Sequence, residues 1–303
     1  EKISWEHQQN IVAVQTAPKL LKLLINHFHR FMDVSSNKSE DLKYSWYFLT
    51  IMTISFAVSF IDRQVMTLLI EPIKADLAIN DTQVSLLIGF AFSIFYISMA
   101  IPIARLVDRG NRVNIISLGV FFWSLMTGIC VLAKNYWQLF LARVGVGVGE
   151  ATLTPAVYSL IPDYFPKNKL GTAVGFYMLG MSFGTGFALV LGGAILSYVS
   201  SIGDITFPII GSLRPWQVTF VLVGFPGIFL ALLIKLTIRE PARRDIFDNE
   251  NDSMIRTSLL IFLRNNKKTL SLITLAYSFG GMVFYGFLTW IPEHLRRSFD
   301  WDI

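Results

Sequence analysis

The sequence has only one cysteine and few charged residues. Of its 303 residues, 16% are charged and 53% are apolar, and the mean hydropathy is +0.53. One thiol excludes a disulfide framework and a thiol-based metal site, so Cys130 is interpreted as a packing residue. A chain with so little charge also lacks the polar surface of a water-soluble enzyme, a nucleic-acid-binding domain or a disordered tail. The net charge of +5 is therefore attributed to loops that face an anionic membrane leaflet.

Long apolar stretches with almost no charge make up most of the chain. A transmembrane helix needs about 20 mostly apolar residues, and the sequence contains seven stretches of this kind. They predict an all-α membrane protein with spans at residues 45–70, 82–105, 113–133, 136–162, 170–199, 215–237 and 268–292.

The distribution of lysine and arginine predicts the orientation of these spans. Six of these residues precede the first span and thirteen lie in or beside the loops after the second, fourth and sixth spans. The other loops carry one each, namely Lys74, Lys134 and Arg214. Because positive charge is retained on the cytoplasmic side, we expect a multi-pass protein of the cell membrane whose N-terminus is cytoplasmic.

Charge and hydropathy also divide the chain into segments. Residues 1–43 are predicted to form a cytoplasmic segment with an amphipathic helix at 19–32, and residues 44–238 to form a bundle of six spans. The basic stretch 239–267 is predicted to be a cytoplasmic linker, because it separates these six spans from the seventh, within 268–303. The chain begins without Met and ends just past an apolar run, so it is interpreted as a piece of a longer protein.

Four ionisable residues lie inside predicted spans: Asp62 and Arg63 in the first, and Arg143 and Glu150 in the fourth. Charged groups are costly in a bilayer and usually face a partner or a watery cavity. Helix geometry places Asp62, Arg63 and Arg143 at nearly the same depth and Glu150 about two turns deeper, within reach of a long arginine. We therefore expect Arg63 to reach Glu150 while Asp62 stays near Arg143. A carboxylate that exchanges arginine partners can bind and release a proton. Purely structural ion pairs are the alternative interpretation.

A charged turn separates the second and third predicted spans. It reads IPIARLVDRGNR over residues 101–112 and places Asp108, Arg109 and Arg112 at a cytoplasmic helix end. A carboxylate beside arginines can lock neighbouring helix ends together, so these three residues are a candidate conformational latch. A generic cytoplasmic loop, the alternative, needs only the arginines.

This turn resembles the signature between the second and third helices of the major facilitator superfamily, although Ala104 and Asn111 depart from the usual pattern. Four further stretches resemble the Spinster-like branch of that superfamily: FIDRQV at 60–65, RVGVGVGEATLTPAVYSLIPDYFP at 143–166, PWQ at 215–217 and REPAR at 239–243. The resemblance covers about residues 44–303.

The resemblance implies a fold in which a major-facilitator-type six-helix bundle is followed by the first helix of a second bundle. It implies alternating access between the two bundles and proton-coupled transport of an organic or lipid-like solute. It carries over Asp62, Arg63 and Glu150 as coupling residues, and Asp108 with Arg109 as the latch.

Aromatic and apolar residues in the second and fifth spans are candidates for the solute cavity. Tyr96, Tyr177 and Met181 favour an amphiphilic solute over a sugar. His27 and His29 lack a third ligand, so no metal is expected, and no other cofactor is expected either.

Glycine and proline in the spans are interpreted structurally. Gly180 and Gly184 have the spacing of close helix packing. GVGVGE at 145–150 lacks the spacing of a dinucleotide-binding loop and is also attributed to packing. Pro155 removes a backbone hydrogen bond, which favours a kink soon after Glu150.

A secondary transporter is therefore the predicted function, and an enzyme is not expected. Two alternatives are a seven-helix receptor, which needs an N-terminus outside the cell, and a half-transporter that dimerises, which needs the chain to be complete. The expected partners are a small solute, protons and the lipid bilayer, with no nucleic acid.

Overall fold

The computed structural model describes residues 38–203, 205–207, 211–243 and 261–299. The chain divides into two units, residues 1–47 and 48–303, and the described part of the first unit is the N-terminal end of the first helix. The amphipathic helix predicted at 19–32 lies outside the described residues.

Nearly all of the described residues are helical. The α-helices are Lys38–Leu68, Ile70–Leu77, Asp81–Ser85, Ala91–Arg109, Arg112–Ile129, Tyr136–Glu150, Leu153–Tyr164, Leu170–Ile202, Pro215–Thr237 and Lys267–Phe299. A π-helical turn covers Leu86–Phe90, and short 3-10 helices cover Cys130–Leu132 and Lys167–Lys169.

Among the described residues, seven helical segments are long and apolar enough to cross a membrane, which confirms the all-α membrane fold. They are called here the first to seventh spans: Leu42–Leu68, Asp81–Arg109, Arg112–Leu132, Tyr136–Tyr164, Lys167–Ile202, Pro215–Thr237 and Lys267–Phe299. At least half of the most apolar window is buried in the first, third, fourth and sixth spans, whereas none of it is buried in the seventh. The seventh span therefore leaves its apolar faces uncovered by the rest of the described chain.

The first and fifth spans pack closely because two glycines of the fifth face the first. A Cβ atom added to Gly180 would lie 2.6 Å from the carbonyl oxygen of Thr53. A Cβ atom added to Gly184 would meet the carbonyl oxygen of Ala57 at a still shorter distance. Only glycine allows this approach of two backbones, as the spacing of the pair predicts.

The glycines of the GVGVGE stretch bring the fourth span against two neighbours. A Cβ atom added to Gly147 would lie 2.5 Å from the carbonyl oxygen of Phe92 in the second span. A Cβ atom added to Gly149 would lie 2.7 Å from the backbone nitrogen of Trp123 in the third span. These contacts place the fourth span, with its ionisable residues, beside the second and third spans.

Two local features differ from the uninterrupted helices and open loops that hydropathy predicts. The second span contains the π-helical turn Leu86–Phe90 between two α-helical segments, and such a turn rotates every later side chain about the helix axis. Between the fifth and sixth spans, the strands Ile205–Phe207 and Gly211–Leu213 pair in antiparallel fashion. Both elements are too short to give a periodic signal in the sequence.

Candidate functional site

The structure brings the four ionisable residues of the first and fourth spans together in two pairs. Arg63 Nε donates to Glu150 Oε2 at 2.6 Å, and Arg63 Nη2 contacts the same oxygen. Arg143 Nη1 lies 3.4 Å from Asp62 Oδ1. The hydroxyl of Thr127, in the third span, donates to Asp62 Oδ2 at 2.6 Å. The pairing is the one expected from the sequence, whereas Thr127 was missed because nothing in its local sequence distinguishes it.

The two pairs differ in burial and in how well their polar atoms are satisfied. Asp62, Arg143 and Glu150 are buried, whereas the side chain of Arg63 is 17% exposed. Within the part of the chain that the structure describes, Glu150 Oε1 and Arg143 Nε are buried without a hydrogen-bond partner. A buried carboxylate oxygen without a donor is unfavourable. Of the two carboxylates, Glu150 is therefore the one with an oxygen available to bind a proton.

A break in the fourth span lies directly after Glu150. The helix ends at Glu150 and resumes at Leu153. Pro155 cannot donate a backbone hydrogen bond, and its ring clashes with the carbonyl of the residue four positions earlier, which is Ala151. The hydroxyl of Thr152 donates to the carbonyl of Gly149 at 2.8 Å, so a side chain satisfies part of the interrupted backbone. The α-helix is thus interrupted only at Ala151 and Thr152, which keep right-handed helical backbone angles, and a kink at this point stays a prediction.

Aromatic rings surround the exposed guanidinium of Arg63. Its Cζ lies 4.8 Å from the centroid of the Phe60 ring, 4.6 Å from that of Phe92 and 5.2 Å from that of Tyr96. Cation–π attraction favours this arrangement. Tyr96, a predicted cavity residue, therefore lies at the ion-pair site, while Phe92 was not singled out. Its signal is the four-residue spacing from Tyr96, which places both rings on one helix face.

The other two predicted cavity residues lie in the fifth span. Tyr177 is fully buried, stacks on Phe56 with centroids 4.6 Å apart, and places its hydroxyl 3.4 Å from that of Thr154. Met181 is half-buried. Tyr177 thus contributes to the packing of the first, fourth and fifth spans.

At the end of the bundle that is predicted to be cytoplasmic, Arg112 is the centre of a second ionic group. Its side chain is buried, and it donates to Asp163 Oδ2 at 2.5 Å and to Glu240 Oε1 at 2.6 Å. Glu240 Oε2 also accepts from the backbone nitrogen of Val113 at 3.0 Å. Glu240 belongs to the REPAR stretch after the sixth span, so this stretch joins the ends of the third and fourth spans.

The three predicted latch residues have different surroundings. Arg112 makes the contacts above, whereas the side chains of Asp108 and Arg109 make no hydrogen bond or ion pair with the described residues. Asp108 contributes its backbone instead, because Arg243 donates to the carbonyls of Asp108, Val107 and Gly110, the last two at 2.7 Å. The role of all three in a latch stays a prediction.

A third ionic group joins the end of the seventh span to the segment between the first and second spans. Arg297 donates to both carboxylate oxygens of Asp81 and, at 2.6 Å, to Glu71 Oε1. Lys74 Nζ lies 2.6 Å from Asp81 Oδ1, and Glu293 contacts Arg297. We call Glu71, Lys74, Asp81, Glu293, Arg296 and Arg297 the outer cluster. No local pattern in the sequence predicts this cluster, because its two halves are more than 200 residues apart.

Comparison with known proteins agrees with the fold. Residues 52–303 match the profile of the Major Facilitator Superfamily. An MFS-type efflux pump of Mycolicibacterium smegmatis is 29% identical over 194 residues, which cover 64% of this chain and 42% of the pump. A probable L-galactonate transporter of Escherichia coli is 24% identical over 258 residues, which cover 81% of this chain and 53% of that transporter.

A solved structure extends the comparison to three dimensions. A bacterial homolog of the human lysosomal transporter Spinster, in an inward-facing and unoccupied conformation, is 35% identical with a TM-score of 0.72. The match covers 86% of this chain and 57% of that one. The resemblance to the Spinster-like branch is thereby confirmed. The chain spans about half the length of the curated relatives it matches.

Proposed function

The chain belongs to the Major Facilitator Superfamily, a family of transporters and not of enzymes, and on that premise we propose that it is part of a proton-coupled secondary transporter. Residues 44–238 form its first bundle, and the seventh span begins the second. The solute is an organic or lipid-like molecule, which crosses the membrane by alternating access between the bundles.

The observation that carries the proposal is the unequal use of the two carboxylate oxygens of Glu150. Oε2 accepts from Arg63 at 2.6 Å, while Oε1 is buried without a partner among the described residues. A proton on Oε1 neutralises the carboxylate and weakens its hold on Arg63. Loss of the proton restores the pair, so the protonation of Glu150 and the position of Arg63 are coupled.

Asp62 has a different part in this cycle. Both of its oxygens are engaged, by Thr127 at 2.6 Å and by Arg143 at 3.4 Å. Because both of its oxygens already have hydrogen-bond donors, Asp62 holds Arg143 in place. Arg63 is thus the side chain that moves, and its partial exposure gives it access to the cavity.

The surroundings of Arg63 indicate the kind of solute. A guanidinium binds carboxylate or phosphate groups, often through two parallel hydrogen bonds. The rings of Phe60, Phe92 and Tyr96 around it favour apolar contact. We therefore propose that the solute has an anionic group that binds Arg63 when Glu150 is protonated, next to an apolar portion. One relative, the probable L-galactonate transporter of Escherichia coli, is named for an anionic solute.

The proposed orientation follows the positive charges, with the N-terminus and the Arg112 group on the cytoplasmic side. Lys134 and Lys167 are both exposed and lie at opposite ends of the fourth span. Cysteine at position 134 should react with a membrane-impermeant thiol reagent in intact cells, and cysteine at 167 only after the cells are opened. The reverse pattern would show that the orientation is wrong.

The coupling proposal is tested with Glu150→Gln in the full-length protein. Gln keeps the shape of the side chain but cannot exchange a proton, so uptake driven by a pH gradient should be lost while solute exchange at equal pH continues. Asp76→Asn is the control, because it removes a carboxylate that pairs with Arg214 outside the spans. If the Gln variant accumulates solute along a pH gradient as well as the parent protein does, Glu150 is a structural partner and not the coupling acid.

A further inference from the structure

The ring of Phe92 lies close to both arginines of the ion-pair site. Its centroid is 4.6 Å from Cζ of Arg63 and 5.9 Å from Cζ of Arg143. Phe92 is buried, with 8% of its surface exposed. The same aromatic residue therefore contacts the cation of the Glu150 pair and the cation of the Asp62 pair.

Three features of the fold fix the ring in this place. The π-helical turn Leu86–Phe90 directly precedes the helix that begins at Ala91, and it sets the rotation of that helix about its axis. Gly147 of the fourth span brings its backbone against the carbonyl oxygen of Phe92, where a Cβ atom would be 2.5 Å away. Tyr96 stacks on the ring, with centroids 5.4 Å apart. Neither the backbone nor the ring of Phe92 can shift without disturbing one of these contacts.

Two guanidinium groups that share a small buried site repel each other strongly. An aromatic ring close to both cations offsets part of this repulsion, because its negative faces attract cations. The buried ring also occupies space at the ion-pair site. A leucine would fill most of the same volume without the negative faces.

We propose that Phe92 is a positioning residue of the coupling site, whose aromatic faces hold Arg63 beside Glu150 and apart from the Arg143–Asp62 pair. The inference rests on the proposed role of Glu150. When Glu150 is ionised, its charge and the Phe92 ring both keep Arg63 in place. When Glu150 is protonated, the Phe92 ring, with those of Phe60 and Tyr96, still retains Arg63 near its position, so that Arg63 can turn toward a solute anion without moving to Asp62.

Several titratable and charged groups face this site from the packed spans. They are Asp62 and Arg63 of the first span, Tyr96 of the second, Arg143, Glu150 and Tyr158 of the fourth, Tyr177 of the fifth and Tyr285 of the seventh. Glu150 is the group among them with an unpaired acidic oxygen, so the pH dependence of transport reports on its pair with Arg63.

The test is the pH profile of solute uptake by the full-length protein with Phe92→Leu. Loss of the ring weakens the hold on Arg63, so the Glu150 carboxylate keeps less of its counter-ion and takes up a proton more readily. The midpoint of the profile should move in the alkaline direction by about half a pH unit or more, given the usual strength of a desolvated cation–π contact. Phe95→Leu is the matched control, because Phe95 is 38% exposed on the same helix.

A second variant separates the negative ring face from packing. Phenylalanine with increasing ring fluorination at position 92 keeps the shape of the side chain and removes the negative potential of its faces. The midpoint should move further with each added fluorine. If fluorination leaves the profile unchanged, the proposal is overturned, even if Phe92→Leu shifts it, since packing alone would then explain the leucine variant.

Failure of this inference is distinguishable from failure of the coupling proposal. If Glu150→Gln abolishes pH-driven uptake while the fluorinated proteins behave as the parent does, only the role of Phe92 is wrong. If Glu150→Gln leaves pH-driven uptake intact, the coupling proposal is wrong and the role of Phe92 is lost with it.

Discussion

Arg297 binds both carboxylate oxygens of Asp81, a residue 216 positions earlier in the chain. Its Nη1 lies 3.0 Å from Oδ2 and its Nη2 lies 3.1 Å from Oδ1. The end of the seventh span is thereby tied to the start of the second span. In a transporter with two bundles, a contact of this kind closes one side of the cavity and has to open when access changes.

Exchanging the charges of Asp81 and Arg297 tests this ion pair. Asp81→Arg brings two guanidinium groups together and should slow solute uptake roughly 2- to 5-fold, because charge repulsion replaces an exposed ion pair. Asp81→Arg combined with Arg297→Asp restores an attractive pair but places the new carboxylate beside Glu71 and Glu293, so it should recover only part of the rate, measured as initial uptake. If the double variant is slower than either single one, the pair does not act as a unit.

The outer cluster should also open at extreme pH. Hydrogen bonds to Asp81 and Glu71 raise the pKa of Lys74 above its usual 10.5. Burial by itself raises the pKa of Glu71, but hydrogen bonds from Lys74 and Arg297 outweigh it and hold the pKa below its usual 4.5. Lys74 therefore stabilises the cluster fully at pH values below the pKa that it has in the unfolded chain. This stabilisation is lost as the pH rises through its higher pKa in the folded protein. Glu71 stabilises the cluster at pH values above the pKa that it has in the unfolded chain. This stabilisation is lost as the pH falls through its lower pKa in the folded protein.

We thus expect the cluster to stay closed between about pH 4.5 and 10.5 and to loosen beyond both limits. Spin labels at Thr82 and Ser298, both exposed, report the separation of the two halves. The distance should lengthen in acid and in alkali. Lys74→Met should remove the alkaline change and keep the acid one. A distance that does not vary with pH would argue against a role for these two residues in closure.

At the opposite end of the bundle, substitutions of the predicted latch residues Arg112 and Arg109 should have different effects on transport. Arg112→Ala leaves Asp163 and the partly exposed Glu240 without their shared cation, and breaking a buried pair costs about 3–5 kcal/mol. Turnover should fall more than solute affinity does, because the change alters the balance between conformations. Arg109→Ala is the matched control and should behave like the parent protein. Equal loss in both would show that the general basic charge of this turn matters and the Arg112 contacts do not.

Two glycines of the fifth span allow a matched test of helix packing. Gly184→Ala forces a methyl group against the Ala57 carbonyl and the Phe60 side chain, and overpacking costs about 1–3 kcal/mol. Gly186→Ala is the control, because no atom lies within 4 Å of the added methyl group. Thermal unfolding in detergent should show a lower midpoint for the first variant and an equal or higher one for the second. The same midpoint for both would mean that the first and fifth spans can separate without cost.

Local information in the chain determined the membrane fold. Apolar runs of about 20 residues predict spans whatever their neighbours are, and the close packing at Gly180 and Gly184 follows from their spacing alone. The pairs of Asp62 with Arg143 and of Arg63 with Glu150 were also predictable, because few charges lie inside the spans and each needs a partner there.

Tertiary structure alone decided which residues meet across long separations. Arg112 and Glu240 are 128 positions apart, and Arg297 and Asp81 are 216 positions apart. Both pairs involve loop or span ends, where charged residues are common and hydropathy does not select among possible partners. Phe92 is a third case, because its four-residue spacing from Tyr96 places both rings on one helix face but does not show that they contact arginines. Its place beside two arginines depends on the π-helical turn before it and on the packing of Gly147, both of which depend on how the helices contact one another.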